Sequence, residues 1–261
     1  MKTTGNTILI TGGGSGIGRG LAEAFHKRGN QVIISGRGQK ALAETIAANP
    51  GMKSLTLDMA DPASLRAGAA RLAEAHPSCN VLIHNAGIMR PADLLAQPDN
   101  LADAEATVAT NLLGPIRLTA ALLPLLLKQP RATVMTVTSG LAFVPLALAP
   151  TYCATKAALH SYTQSLRYQL RATSVEVLEL IPPYVATRLM GDHQANDPRA
   201  MPLDEFIAEV MDLLTTQPTA TEICVQRVSP LRAAAAGGQE QYDQVFQGLN
   251  AAMSAAAKPG H

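Results

Sequence analysis

Tyr152 and Lys156 stand four residues apart in Tyr152-Cys153-Ala154-Thr155-Lys156, and Ser139 lies thirteen residues upstream of the tyrosine. On a helix that spacing puts phenol and ammonium on one face, because about 3.6 residues make a turn. A free phenol titrates near pH 10, too high to exchange protons well at neutral pH. An ammonium fixed beside it favours the phenolate and draws that value toward the working range. A serine hydroxyl can hold a substrate oxygen against the same phenol. The chemistry on offer is acid–base catalysis at an oxygen atom. The pair alone decides little, since tyrosine and lysine also meet at this spacing on solvated helices.

A second constellation raises the odds. Ile8, Leu9 and Ile10 form a short apolar run that reads as a buried strand, Thr7 to Thr11, and ends in glycines. Thr11-Gly12-Gly13-Gly14-Ser15-Gly16-Ile17-Gly18 follows, and then a helical pattern through Leu21, Ala22, Phe25 and His26. Strand, glycine turn and helix are the setting of a dinucleotide-binding fingerprint. Gly12 permits the tight turn, Gly16 lets the backbone approach a pyrophosphate, and Gly18 lets the helix pack on the sheet. The helix N-terminus offers free N–H groups and a positive dipole end.

The glycine spacing is G-x-x-x-G-x-G, and with it the chain resembles the short-chain dehydrogenase/reductase family. The family's T-G-x-x-x-G-x-G turn falls on Thr11 to Gly18, including Gly14, Ser15 and Ile17, and its N-A-G motif on Asn85-Ala86-Gly87. Its helix asparagine matches Asn111, its serine Ser139, and its Y-x-x-x-K Tyr152 to Lys156. The matches keep the family's order along nearly the whole chain. Ile181-Pro182-Pro183 and the run Glu222 to Val228, followed by Pro230-Leu231-Arg232, are similar to the DltE-like branch.

That resemblance implies a hydride transfer between a nicotinamide cofactor and a carbonyl or secondary alcohol. In it Tyr152 would pass the proton, Lys156 would lower its pKa and hold the nicotinamide ribose, and Ser139 would position the reacting oxygen. Asn111 would fix a water linking Lys156 to solvent. Asp58 would lie near the adenine, with Met59 lining that pocket, and Pro182, Val185 and Thr187 would stand by the carboxamide. Read without the family, Asn111 is a helix cap and Asp58 a strand-end turn residue. A dinucleotide-binding sensor without turnover is the alternative from another class; such proteins lose the tyrosine or the lysine, and both stand here.

The second strand ends in Ser35-Gly36-Arg37, where NAD-selective folds carry an acidic residue for the ribose hydroxyls. Arg37 offers a planar, permanent charge suited to a 2′-phosphate, so NADP(H) is expected, with NAD(H) the alternative. A solvated arginine at a helix start is the competing account. Pro183 stands where many relatives have glycine; lacking an N–H and fixing φ, it alters the mouth of the substrate pocket. Ile88, Met89, Leu141, Phe143, Pro145, Tyr184 and Met190 are the expected wall of that pocket. Arg90 and Arg188 read as solvated.

Strand and helix signals alternate along the chain, the mark of a parallel sheet with right-handed crossovers. The expected fold is α/β, a Rossmann-type doubly wound sheet of about seven strands with helices on both faces, in one unit spanning 1–261. Strands are expected at Thr7 to Thr11, Gln31 to Ser35, Lys53 to Leu57, Asn80 to His84, Thr133 to Val137, Val175 to Leu180 and Glu222 to Val228. A helix should run from Asn111 to Lys128. The segment 182–202 lacks periodicity and reads as a mobile substrate loop, and 239–254 as a C-terminal helix. A net charge of +1 leaves no basic stripe for nucleic acid or membrane. Three cysteines without ligand spacing fit free thiols in a reducing compartment. The apolar stretch Leu118 to Leu127 is too short to span a bilayer, and the early first strand leaves no room for a signal peptide; a cytoplasmic protein is expected. Leu112, Ile116, Leu159 and Leu166 are apolar positions beyond one sheet-facing stripe, so a homodimer or homotetramer is expected.

Overall fold

The computed structural model of the protein describes residues 1–95 and 101–257. Seven parallel strands lie in the order β3-β2-β1-β4-β5-β6-β7. They are β1 (Thr7–Thr11), β2 (Gln31–Gly36), β3 (Lys53–Thr56), β4 (Val81–His84), β5 (Ala132–Val137), β6 (Val175–Ile181) and β7 (Glu222–Cys224). The helices are α1 (Gly16–Lys27), α2 (Gln39–Ala48), α3 (Pro62–Ala75), α4 (Ala102–Val108), α5 (Gly114–Leu126), α6 (Pro150–Leu170), α7 (Asp192–Ala195), α8 (Leu203–Thr216), α9 (Ser229–Arg232) and α10 (Gln239–Ala257).

Both sheet faces are covered, which is why the central strands read as unbroken apolar runs rather than alternating ones. Side chains still alternate by face. Ile8, Ile10, Ile34 and Ile83 pack with Leu21 and Phe25 of α1 and Phe206 and Val210 of α8. Leu9, Ile33, Leu82 and Val134 face Leu65 of α3, Leu118 and Leu122 of α5, and Leu166 of α6. Each such aliphatic side chain contributes about 1.5–3 kcal/mol by leaving water, so the sheet is a rigid platform. Sheet order reverses between β1 and β4, and at that switch point the carboxyl ends of adjacent strands splay a crevice.

Several boundaries differ from the sequence reading. The last strand stops at Cys224, and Gln226–Val228 is a 3₁₀ turn, because only Glu222, Ile223 and Cys224 find partners on β6. The helix expected to start at Asn111 starts at Ala102; α4 and α5 join through a π-turn, Ala109–Leu113, with Asn111 inside it. The joined helix, Ala102–Leu126, is long and apolar enough to cross a membrane by length and composition; its leucines 118, 122 and 126 are spent on the core. Leu159 and Leu166 are also buried within the chain's own core, with 1% and 6% exposure, so they supply no surplus interface. The segment 182–202 holds structure: Val185 bridges Met201, and α7 places Gln194, whose amide donates to the Val185 carbonyl at 2.9 Å and to Thr187 Oγ1 at 3.2 Å.

Candidate active site

The crevice is a cleft of about 850 Å³. At one end lies the glycine turn. Gly12 has φ +68°, and a Cβ there would stand 2.9 Å from Ala86 Cα. A Cβ on Gly18 would come within 2.3 Å of both Asn85 Nδ2 and the Gly12 carbonyl. Gly18 is therefore a packing residue beneath the cleft rather than part of its lining. Gly12, Gly14, Ser15, Gly16 and Ile17 do line it. No acidic residue occupies the first turn of α1, which leaves its N-terminal N–H groups and dipole open to an anion.

The Asn85-Ala86-Gly87 turn is bolted to this end by a residue the sequence reading did not single out. Thr11 Oγ1 accepts from the backbone N–H groups of Asn85 and Ala86 at 3.0 and 3.1 Å, and Asn85 Nδ2 donates to the Thr11 carbonyl at 2.9 Å. A threonine closing a strand before a glycine turn was the available signal. Gln194 had none, being one polar residue in an aperiodic loop.

Ser35, Gly36 and Arg37 form the near wall, with Asp58 and Met59 beside them. Ser35 Oγ is buried with no hydrogen-bond partner among the described residues, and Arg37 is exposed with no ion pair among them. Asp58 Oδ1 accepts from the Ala60 N–H at 2.9 Å, so it also braces its own turn.

Tyr152, Lys156 and Ser139 meet at the other end. Tyr152 and Lys156 are buried, with 7% and 4% exposure. Lys156 Nζ lies 5.5 Å from the phenol ring centre and donates to the Val137 carbonyl at 2.8 Å. Ser139 stands beside the phenol and favours its ionised form, while its Oγ accepts from the Leu141 N–H at 3.1 Å. Burial pushes the Tyr152 phenol up, only partly offset by Ser139, the reverse of the expected lowering. Desolvation outweighs every other influence there, and Lys156 Nζ donates to Val137 rather than to the phenolic oxygen. Burial lowers Lys156 to about 8, with the Glu179 carboxylate opposing that fall.

Asn111 is 1% exposed and does not line the cleft. Its Oδ1 accepts from the Ile88 N–H at 2.9 Å, and its Nδ2 donates to the Ile88 carbonyl at 2.8 Å and to Thr155 Oγ1 at 3.3 Å. Its visible work is to clamp the Asn85-Ala86-Gly87 exit against α6. Pro182, Pro183, Val185 and Thr187 line the cleft, as do Ile88 and Met89. Leu141 and Met190 pack on the cluster around Tyr152.

Phe143, Pro145 and Tyr184 fall outside the expected wall. Phe143 packs on His160 and Arg232, the Pro145 carbonyl accepts from Asn250, and Tyr184 donates to Asp197. Arg90 and Arg188 line the mouth of the cleft and pair there with Asp103 and Asp192. Cys153 is a buried thiol 3.6 Å from the Leu146 carbonyl. Leu249 and Met253 of α10 pack over Tyr152's cluster, so that helix roofs the site.

The short chain dehydrogenase family matches residues 6–198, which hold the glycine turn, Asn85 to Gly87, Asn111, Ser139, Tyr152 and Lys156. The chain belongs to the short-chain dehydrogenase family. It is an NAD(P)-dependent dehydrogenase/reductase on a Rossmann-type fold, and it sits on the DltE-like side of the family. The oxidoreductase DltE of Bacillus subtilis is 41% identical over 253 residues, 96% of this chain and 98% of that one. In fold it is similar to a short chain dehydrogenase from Burkholderia cenocepacia in complex with NADP, at TM-score 0.81 and 24% identity, covering 94% of this chain and 99% of that one. A short chain dehydrogenase/reductase from Burkholderia phymatum in complex with NAD follows at TM-score 0.76 and 20% identity, covering 90% and 94%. This short-chain dehydrogenase offers a fitting cradle for such a group in its glycine turn, the open α1 N-terminus and the unpartnered Ser35 hydroxyl.

Proposed function

We propose that this short-chain dehydrogenase transfers hydride between NADP(H) and a small, largely apolar carbonyl compound or secondary alcohol, with Tyr152 as general acid–base. The observation that carries the reading is a buried phenol, beside Ser139 and Lys156, at one end of a cleft whose other end is the glycine turn. The nicotinamide cofactor, when bound, supplies or takes the hydride. The chain's own residues manage the proton. With its pKa raised by burial, Tyr152 rests protonated at neutral pH and is set to donate to a carbonyl oxygen. Ser139 holds that oxygen in line with the phenol. Lys156, titrating at about 8, is mostly ammonium at pH 7, so its charge stabilises the phenolate left behind.

Gly12, Gly14, Ser15, Gly16 and Ile17 would hold the pyrophosphate. Arg37 would grip the 2′-phosphate, and Asp58 and Met59 would flank the adenine. Ile88 and Met89 in the cleft wall, with Leu141 and Met190 packed on the cluster around Tyr152, give the substrate an apolar berth, which favours a modest, largely apolar compound. Tyr152→Phe tests the assignment. Turnover of a carbonyl panel should fall about 10²–10⁴-fold while cofactor affinity stays within a few-fold. Unchanged turnover would remove Tyr152 from the chemistry.

A further inference from the structure

The residues behind Lys156 form a charged network that the proposed chemistry leaves unused. Glu179 on β6 is completely buried. Strand alternation points it to the α6 side of the sheet, in line with Val175 and Val177. Its Oε1 accepts from Thr138 Oγ1 at 2.7 Å, and His160 Nδ1 lies 2.9 and 2.8 Å from its two oxygens. His160 is one helical turn beyond Lys156 on α6. The carbonyl that takes the Lys156 ammonium belongs to Val137, next in chain to Thr138. Lysine and carboxylate are therefore each held by one of two successive residues at the end of β5.

An ionised carboxylate removed from water is costly unless cations offset it. Among the described residues the only ion-pair partner of Glu179 is His160. The other charged or titratable groups around this network among the described residues are Lys156 and Arg167 from α6, Glu222 and Cys224 from β7, and Arg232 from α9. Glu222 is taken by Arg232 through two bonds of 2.8 and 3.0 Å. Arg232 lies over the Phe143 ring at 4.6 Å, and that ring meets His160 edge-on at 4.7 Å. His160, Glu179 and Glu222 come close enough to suit a metal ion, yet Arg232 occupies both Glu222 oxygens and Thr138 and His160 occupy Glu179. The Glu179 charge also acts on Lys156, whose ammonium it favours. Glu222 and Arg232 lie in the C-terminal run that carried the DltE-like resemblance.

We propose that Glu179, held by His160 and Thr138, is a positioning residue that keeps the catalytic lysine charged within its apolar surroundings. This rests on the reading of Lys156 as part of the catalytic machinery. Burial lowers the lysine and the carboxylate opposes it, so without the carboxylate the ammonium would lose its proton at lower pH. Glu179→Gln keeps the shape and deletes the charge.

The test follows the side-chain carbon resonances of ¹³C-labelled Lys156 across pH, a readout that needs no turnover. The midpoint should fall by about one pH unit in Glu179→Gln, the low end for a neighbouring charge, and Glu179→Asp should stay nearer wild type. An unchanged midpoint in a folded Glu179→Gln variant overturns the proposal, whether or not any carbonyl is reduced. Should that variant not fold, wild type decides: the Glu179 carboxyl carbon should inflect at the Lys156 midpoint, and a flat trace there overturns the coupling. With a substrate in hand, the alkaline limb of turnover should move with the lysine midpoint. A rate lowered equally at all pH values, with the limb fixed, would mark Glu179 as structural only and overturn the proposal.

Discussion

Arg37→Ala should separate the two nicotinamide cofactors. Arg37 stands exposed at the rim of the cleft, one residue beyond β2, with no acidic partner among the described residues. A charge-assisted hydrogen bond contributes about 1.5–3 kcal/mol, while a fully solvated ion pair contributes about 0–1 kcal/mol. An exposed guanidinium on a phosphate belongs between these limits. About 1.4 kcal/mol corresponds to a tenfold loss of NADPH affinity, with NADH affinity unchanged. The loss should shrink as salt is added, because the Debye length falls from about 10 Å at 0.1 M to about 3 Å at 1 M.

Gly36→Asp is the companion change. A Cβ at Gly36 would meet only Leu42 Cδ2, at 3.8 Å, so the carboxylate can enter without displacing backbone. It would repel a 2′-phosphate and accept from ribose hydroxyls, and the double variant should prefer NADH. Competitive fluorescence titration of both cofactors against wild type and the variants reads all of this. Equal weakening of both cofactors by Arg37→Ala, or a wild type that already prefers NADH, would refute the reasoning and return Arg37 to a solvated surface residue.

Two further substitutions probe the platform and the lysine. Gly18→Ala would drive a methyl to 2.3 Å from the Gly12 carbonyl and Asn85 Nδ2; overpacking of this kind costs about 1–3 kcal/mol, so the urea midpoint and cofactor affinity should fall together, and a variant matching wild type in both would show that α1 is free to shift. Lys156 titrates at about 8 in the folded chain against 10.5 when unfolded, so below pH 8 the folded state bears about 3 kcal/mol for holding a buried ammonium, and between pH 8 and pH 10.5 that cost is relieved. Lys156→Met removes it but strips the Val137 carbonyl of its donor, a loss of about 1 kcal/mol; the variant should be inactive yet more stable by about 2 kcal/mol in urea at pH 7, the gain gone near pH 10 and turned into a small deficit above it, and a pH-independent difference would contradict the lowered lysine.

Much of this was legible along the chain because it is local. The apolar run Ile8 to Ile10 and the glycines behind it specify strand and turn within a few residues, and the lysine four residues after the tyrosine needs only helix geometry. What escaped depends on contacts between distant segments. The place of Thr11 before the glycine turn marks it, but not the partners of its hydroxyl, two N–H groups from 85 and 86. The upward push on Tyr152 follows from how completely α10 and the loop before α6 cover it, which periodicity does not report. Leu159 and Leu166 looked surplus because the width of the core that receives them is set by β5 and β6, elements that precede and follow their helix. Phe143 was misplaced for a similar reason: its partners, His160 and Arg232, come from elsewhere in the chain.

The π-turn at Ala109–Leu113 has a consequence in angular terms. In an unbroken α-helix, residues seven apart lie within about 20° of each other around the axis. Asn111 would then share the azimuth of Leu118, and its amide would face the apolar layer that holds Leu118, Leu122 and Leu126. One added residue advances the thread by up to about 100°. That offset turns Asn111 away from the leucine stripe and onto Ile88 and Thr155. The helix thus carries two phases, one set by the sheet and one by the cleft, and its leucines can be repacked without rotating the asparagine.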